Sequence, residues 1–135
     1  MSLKRVEELL KDYSHAFERL QEALELDITK NSVFLDGAIQ RFEFTYEVAW
    51  KLAKQYLHYI GIEANSPRSV IKEAFAVHVI DDGDGWITML EDRNKTAHIY
   101  NEDQAKEIYG RVKDMHCHNL KKLKEKITKG LKDLS

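Results

Sequence analysis

Three side chains in the second half of the sequence could act together on a phosphate ester. Arg93, His98 and Tyr100 lie within eight residues of one another, and Asn94 adds an amide next to the arginine. Histidine accepts and donates protons near neutral pH. Arginine presents a permanently charged, planar fork to phosphate oxygens. We therefore treat this segment as a candidate site.

The spacing of the arginine and the histidine is weak evidence by itself, because Arg111 and His116 repeat it. The second pair lies inside a strongly periodic helical segment, where positions five apart point about 140° away from each other. We therefore expect Arg111 and His116 to diverge, and their substitution to leave any activity largely intact. Arg93 and His98 lie where a helix ends, so the histidine can turn back toward the arginine. The alternative is an ion-paired surface Arg93 and a His98 stabilised by the helix dipole.

Apolar residues recur at three- and four-residue steps along most of the chain, which predicts helices and leaves no alternation typical of strands. Ser66 with Pro67 and Asn101 with Gln104 are typical helix starts, and Gly61 is a typical helix end. The sequence predicts one all-α domain, 1–135, an antiparallel up-and-down bundle of four or five helices. The expected helices cover residues 3–28 and 32–60, a shorter stretch that starts at Pro67 after the Ser66 cap, and residues 86 to about 97, with a turn at 81–85. A last helix follows Asn101.

Composition narrows the class of protein. Hydrophobic residues make up 43% of the 135 residues and charged residues 33%, as in a soluble helical domain with a core of its own. The net charge of −2 does not steer the chain toward nucleic acid, although residues 121–132 carry six lysines and one acid. The single cysteine predicts a cytoplasmic protein. The N-terminus is charged and lacks the apolar stretch of a signal peptide, and no apolar run is long enough to predict a membrane span.

Two further groups of residues could take part in chemistry. Glu43 and Glu47 are one helical turn apart, and either could support Arg93, although Glu47 could instead pair with Lys51 on an exposed face. His116 and His118 flank the cysteine but would point about 200° apart on a helix, so they cannot share an ion. We expect neither a metal site nor a cofactor.

The blocks "GAIQRFEFTYEVAWK" (37–51) and "EDRNKTAHIYNEDQAKEIY" (91–109) resemble the nucleotidyltransferase substrate-binding protein family of the HEPN superfamily, which includes relatives of the HepT toxins. The resemblance implies a helical bundle that dimerises and brings two copies of the motif together. Arg93 and His98 correspond to the motif arginine and histidine, and Asn94 to the polar residue that often follows the arginine. Tyr100 corresponds to the tyrosine that receives AMP from a partner nucleotidyltransferase in HepT-like toxins.

The resemblance implies a homodimer that partners a separate minimal nucleotidyltransferase, in a toxin–antitoxin-like pair, with metal-independent RNase activity through Arg93 and His98. Such cleavage needs a base and an acid, and one histidine per chain cannot easily supply both, which also favours a homodimer. An alternative is a non-catalytic subunit that presents a substrate to the nucleotidyltransferase. A third is a purely structural helical dimer.

Overall fold

The computed structural model describes residues 3–99 and 101–134, and none of these residues lies in a strand. A 3₁₀ turn at Thr96–His98 extends the helix that ends at Lys95. A π-helical segment at Val112–His116 joins the helix that ends at Arg111 to the one that begins at Cys117, so that the two form one rod. The described residues therefore form five helical rods, as the sequence predicts. The helices are α1 (Leu3–Leu24), α2 (Ser32–Tyr59), α3 (Pro67–Ala76), α4 (Gly83–Lys95), α5 (Glu102–Arg111) and α6 (Cys117–Leu134).

Helix α2 is the centre of the molecule. It forms a long hairpin with α1 and also packs against α3, α4, α5 and α6. Its apolar side chains are buried on two sides, as expected for a helix with two apolar stripes. Phe44 is an exception, since 58% of it is exposed, whereas Leu52 of the same helix is fully buried. The buried side chains of α2 include Leu35, Ile39, Phe42, Tyr46, Ala49, Leu52, Ala53, Tyr56 and Leu57.

The helix boundaries follow local chemistry. The Ser66 hydroxyl accepts from the Ser69 amide at 3.2 Å and Pro67 opens α3, as predicted. Asn101 accepts from the Gln104 amide at 2.9 Å and begins α5, also as predicted. Helix α4 begins earlier than predicted, inside the expected turn, because the Asp82 carboxylate caps the Gly85 amide at 2.9 Å. Helix α1 ends at Leu24, four residues before its predicted end.

The junction between α5 and α6 contradicts the predicted regular helix. Over Val112–His116 the backbone is π-helical, and the Cys117 amide donates to the Val112 carbonyl, five residues back. The wider turn rotates His116 relative to Arg111, and both side chains contact Asp92. The prediction that Arg111 and His116 diverge is therefore wrong, because it assumed 3.6 residues per turn throughout.

Asp92 joins the end of α4 to the rod formed by α5 and α6. Arg111 Nε donates to Asp92 Oδ2 and Arg111 Nη2 donates to Asp92 Oδ1, both at 2.8 Å. His116 Nε2 lies 2.7 Å from Asp92 Oδ2, and its ring stacks on Phe42 of α2 with centroids 5.5 Å apart. Asp92 is only 1% exposed and His116 is fully buried. A carboxylate shielded to this degree persists as an ion only with such partners.

The pKa of Asp92 records the balance of these effects. Burial raises this pKa, but the hydrogen bonds from His116 and Arg111 and the charge of the guanidinium outweigh burial and lower it from 3.8 to about 2. Since an ionised carboxylate only accepts hydrogen bonds, His116 carries its proton on Nε2.

None of the helices within residues 3–99 and 101–134 combines the length and the apolar character that crossing a bilayer requires.

Asp92 should contribute stability that disappears in acid. A lowered folded-state pKa stabilises the fold above the unfolded value of 3.8, and the gain is lost as the pH falls toward 2. The shift corresponds to about 2 kcal/mol of unfolding free energy. We expect Asp92→Asn to be destabilised by roughly 3 kcal/mol near pH 6, as when a buried ion pair is broken. Urea unfolding between pH 6 and pH 2.5 should show its deficit relative to wild type shrinking below pH 4.

The matched control for this experiment is Asp12→Asn, which removes an exposed carboxylate from α1. It should leave the unfolding free energy almost unchanged at every pH. A deficit of Asp92→Asn that stays constant down to pH 2.5 would show that the charge of Asp92 does not support the fold.

Candidate functional site

Arg93 lies in the last turn of α4 and faces α2. Its Nη2 is 3.1 Å from Glu47 Oε1, and the two side chains are 26% and 36% exposed. Glu47 Oε2 in turn accepts from Trp50 Nε1 at 3.2 Å. The Glu47 carboxylate, itself held by Trp50, therefore orients the Arg93 guanidinium. Of the two partners considered for Glu47, Arg93 is the one the structure brings into contact, whereas no hydrogen bond or ion pair joins the half-buried Glu43 to Arg93.

The surroundings of Arg93 hold two shielded polar atoms. Arg93 Nε and the Tyr46 hydroxyl are both buried, and neither has a hydrogen-bond partner among the described residues. Burial raises the pKa of Tyr46, the charge of Glu47 raises it further, and the charge of Arg93 opposes both. Tyr46 therefore stays a neutral phenol beside the guanidinium.

His98 lies on a different side of the helix end. The 3₁₀ turn that ends at His98 begins where the Thr96 hydroxyl donates to the Arg93 carbonyl oxygen at 2.6 Å. The imidazole is exposed and lines a cavity of about 420 Å³ between the end of α4 and α5. Arg93 does not line this cavity. Within one chain, the two motif residues share the end of α4 but face different surroundings. The cavity is lined by Asn94, Lys95, His98, Ile99, Gln104, Glu107, Ile108 and Arg111.

Tyr100, the candidate for modification, lies outside the described residues. The residues on either side of it are Ile99, which lines the cavity, and Asn101, which caps α5.

Sequence reasoning missed two residues near the site. The sequence indicates that Arg111 is a chance repeat of the motif spacing, yet Arg111 lines the same cavity as His98. Asp92 was not singled out, although it follows Met89 by three residues on the buried side of α4. A charge in an apolar stripe indicates a buried partner, and this signal could have identified Asp92. His116 gives the same signal, four residues after Val112 and four before Leu120, all three of which are buried.

In the part of the chain that the structure describes, no group of three His, Cys, Asp or Glu side chains is arranged to hold a metal ion. His116 is bonded to Asp92, whereas His118 is exposed and lines a separate cavity with Asn119 and Lys122. The two histidines that flank Cys117 thus have different surroundings.

The lysines of residues 121–132 flank the buried side of α6, which carries Leu120, Leu123 and Ile127. Lys122 and Lys126 pair with Asp81. Lys121, Lys124, Lys129 and Lys132 line an open groove between α6 and α1. Glu18 of α1 and Glu125 of α6 line the same groove, so the groove is mixed in charge although lysines predominate.

Comparison with known proteins adds to the geometry. A Haemophilus influenzae protein named "Probable ribonuclease HepT" is 31% identical over an alignment of 83 residues, and the alignment covers 58% of this chain and 57% of that protein. The chain thus spans little more than half the length of this curated relative.

Two solved structures share the fold. A protein of Thermus thermophilus is 33% identical, with a TM-score of 0.73 over 88% of this chain and 98% of the other. A Haemophilus influenzae protein, described as having the fold of a substrate binding domain of a nucleotidyltransferase, is 24% identical, with a TM-score of 0.74 and the same coverage. Residues 8–129, most of the chain, match the family model described as nucleotidyltransferase substrate binding protein like. The chain therefore belongs to the nucleotidyltransferase substrate-binding protein family.

Proposed function

We propose that this protein is a metal-independent RNase of HEPN type, a homodimer that partners a separate nucleotidyltransferase chain in a toxin–antitoxin-like pair. One observation carries the proposal. At the end of α4 the chain holds an exposed histidine and an arginine that a carboxylate fixes from behind, at the positions of the HEPN motif. The relative named as a ribonuclease supports the same assignment.

The chemistry needs no group beyond these side chains. The ribose 2′-oxygen attacks the adjacent phosphorus, its proton passes to one imidazole, and the bond from phosphorus to the 5′-oxygen breaks as a second imidazole protonates that oxygen. Arg93 binds the phosphoryl oxygens, on which negative charge builds up in the transition state. Glu47 keeps the guanidinium oriented, so that less freedom is lost when the phosphate binds.

The arrangement of one chain supports a site shared by two. Each chain contributes one motif histidine, whereas the reaction has two proton transfers. Arg93 faces α2 and His98 lines the cavity beside α5, so the arginine of one chain can meet the histidine of another across a dimer interface. The buried apolar side chains of α2 pack against other helices of the same chain, so it is the motif residues that favour a second copy.

A second candidate function is a non-catalytic subunit that presents a substrate to the nucleotidyltransferase. The observation in its favour is the His98 cavity itself, which has the size of a small-molecule site and does not contain Arg93. The family description points in the same direction.

The dimer is tested by light scattering of the purified chain at micromolar concentration. We expect about twice the chain mass of 15.8 kDa, because a site with two histidines requires two copies. A monomer across the whole concentration range would remove the composite site.

The RNase activity is tested on single-stranded RNA. Arg93→Ala and His98→Ala should each lower the cleavage rate by about 10²-fold or more, the contribution typical of electrostatic stabilisation for Arg93 and of acid–base catalysis for His98. Cleavage should persist in EDTA and leave a 2′,3′-cyclic phosphate and a 5′-hydroxyl.

The matched controls for these variants are His15→Ala and Arg19→Ala on exposed positions of α1, which should keep the wild-type rate. A 5′-phosphate product, or equal losses in the control variants, would reject the mechanism. No cleavage by wild type, together with retained binding of a nucleotide, would favour the substrate-presenting subunit.

Tyr100 is tested by co-expression with the partner nucleotidyltransferase and measurement of intact mass. Each added AMP should raise the mass by roughly 329 Da, and Tyr100→Phe should prevent the addition while keeping the activity. A phosphodiester beside the motif would compete with RNA through its charge and its volume. An unchanged mass beside an active partner would remove this mode of regulation.

A further inference from the structure

Arg111 lies in the same cavity as His98, although it belongs to another helix and to no motif. The cavity between α4 and α5 has a volume of about 420 Å³, within the range of small-molecule sites. Its polar lining includes Asn94, Lys95 and His98 from α4 and the turn that follows, and Arg111 from the end of α5. Glu107 is the one acidic side chain among the described residues that line it.

Asp92 fixes the orientation of Arg111 and leaves most of its donors unused. A guanidinium has five N–H groups. Asp92 accepts one from Nε and one from Nη2, each at 2.8 Å, so both N–H groups of Nη1 and the second of Nη2 remain. The Asp92 side chain is buried, whereas 34% of the Arg111 side chain is exposed. The remaining donors therefore belong to the outer, exposed part of a side chain that is already held in place.

The π-helical segment provides this geometry. In a regular helix, Arg111 and His116 would point about 140° apart. Through the wider turn, one buried carboxylate binds both side chains, His116 from the core and Arg111 from the edge of the cavity. Arg111 therefore does two things: it binds Asp92, and it lines the cavity that also holds the exposed His98.

We propose that Arg111 is a second phosphate-binding residue of the site, oriented by Asp92, and that it binds an RNA phosphate next to the one on which His98 acts. This proposal rests on the proposed RNase function and adds a residue and a subsite to it. An oriented arginine fork is the side chain best suited to phosphate oxygens. Asn94 and Lys95 supply further donors along the same wall. Asp92 acts through Arg111 and is a positioning residue.

Binding is measured apart from cleavage with a fluorescent, single-stranded 2′-O-methyl RNA, which lacks the attacking hydroxyl. Fluorescence anisotropy of the full chain should show that Arg111→Gln binds about tenfold more weakly than wild type, as expected for a lost charge-assisted contact. The slope of log K against log salt concentration should fall by about 0.7, the value for one phosphate contact on a single strand. Arg19→Gln, which removes the same charge from an exposed position of α1, should change neither quantity.

A second variant separates binding from folding, because Arg111→Gln leaves the buried Asp92 with only His116 as a partner. The double variant Asp92→Asn/Arg111→Gln removes both charges, so it should melt at a higher temperature than Arg111→Gln and still bind RNA weakly. Recovery of RNA affinity in the double variant would overturn the proposal, since Arg111 would then act only through the fold.

The remaining outcomes distinguish this proposal from the proposed function. If wild type does not bind the oligonucleotide, the RNase assignment fails and the Arg111 subsite fails with it. If wild type binds and Arg111→Gln binds equally well, only the Arg111 subsite fails. Calorimetric titration with ATP shows whether the phosphate that the cavity binds belongs to RNA or to a free nucleotide. Loss of ATP binding in Arg111→Gln with unchanged RNA binding would assign the cavity to a free nucleotide and overturn the RNA subsite.

Discussion

The buried carboxylate of Asp92 is the constraint on which the arrangement of this molecule depends. It is 1% exposed and ionised, so its partners must reach it from within the fold. Arg111 and His116 do so from 19 and 24 residues away along the chain. Their convergence requires the π-helical segment, and the π-helical segment sets the relation between α5 and α6. One side chain on α4 therefore joins the end of α5 to the π-helical segment that leads into α6.

The candidate site depends on this constraint because Asp92 is the residue immediately before Arg93. With Asp92 held by α5 and the π-helical segment, the last turn of α4 has little freedom to rotate, and Arg93 is directed toward Glu47 on α2. The chain then leaves the α-helix through Thr96–His98, which exposes His98 beside α5. The motif thus combines a restrained arginine with a more exposed histidine. Such a division suits a phosphate-binding group and a proton-transfer group, respectively.

The sequence predicts most of the fold, because most of it rests on local signals. Apolar periodicity identifies the helices, and Ser66 and Asn101 cap the helices they were expected to cap. Local signals do not predict the π-helical segment, since its contact with Asp92 joins residues that are distant in sequence. For the same reason the Arg111–His116 pair looks like a chance repeat along the chain but forms one cluster in space. At the candidate site, the sequence indicates Arg93 and His98, but the separate directions of the two side chains follow only from the packing of α4.

We propose that two chains complete one catalytic site, and a mixed dimer tests this proposal. Wild-type and His98→Ala chains with different affinity tags can be co-expressed, and the dimer that carries both tags can be isolated and assayed for RNA cleavage. If each cleavage event needs His98 from both chains, the mixed dimer should be about as inactive as the dimer of two His98→Ala chains. About half of the wild-type activity would contradict this proposal, because a single His98 would then suffice for each cleavage event.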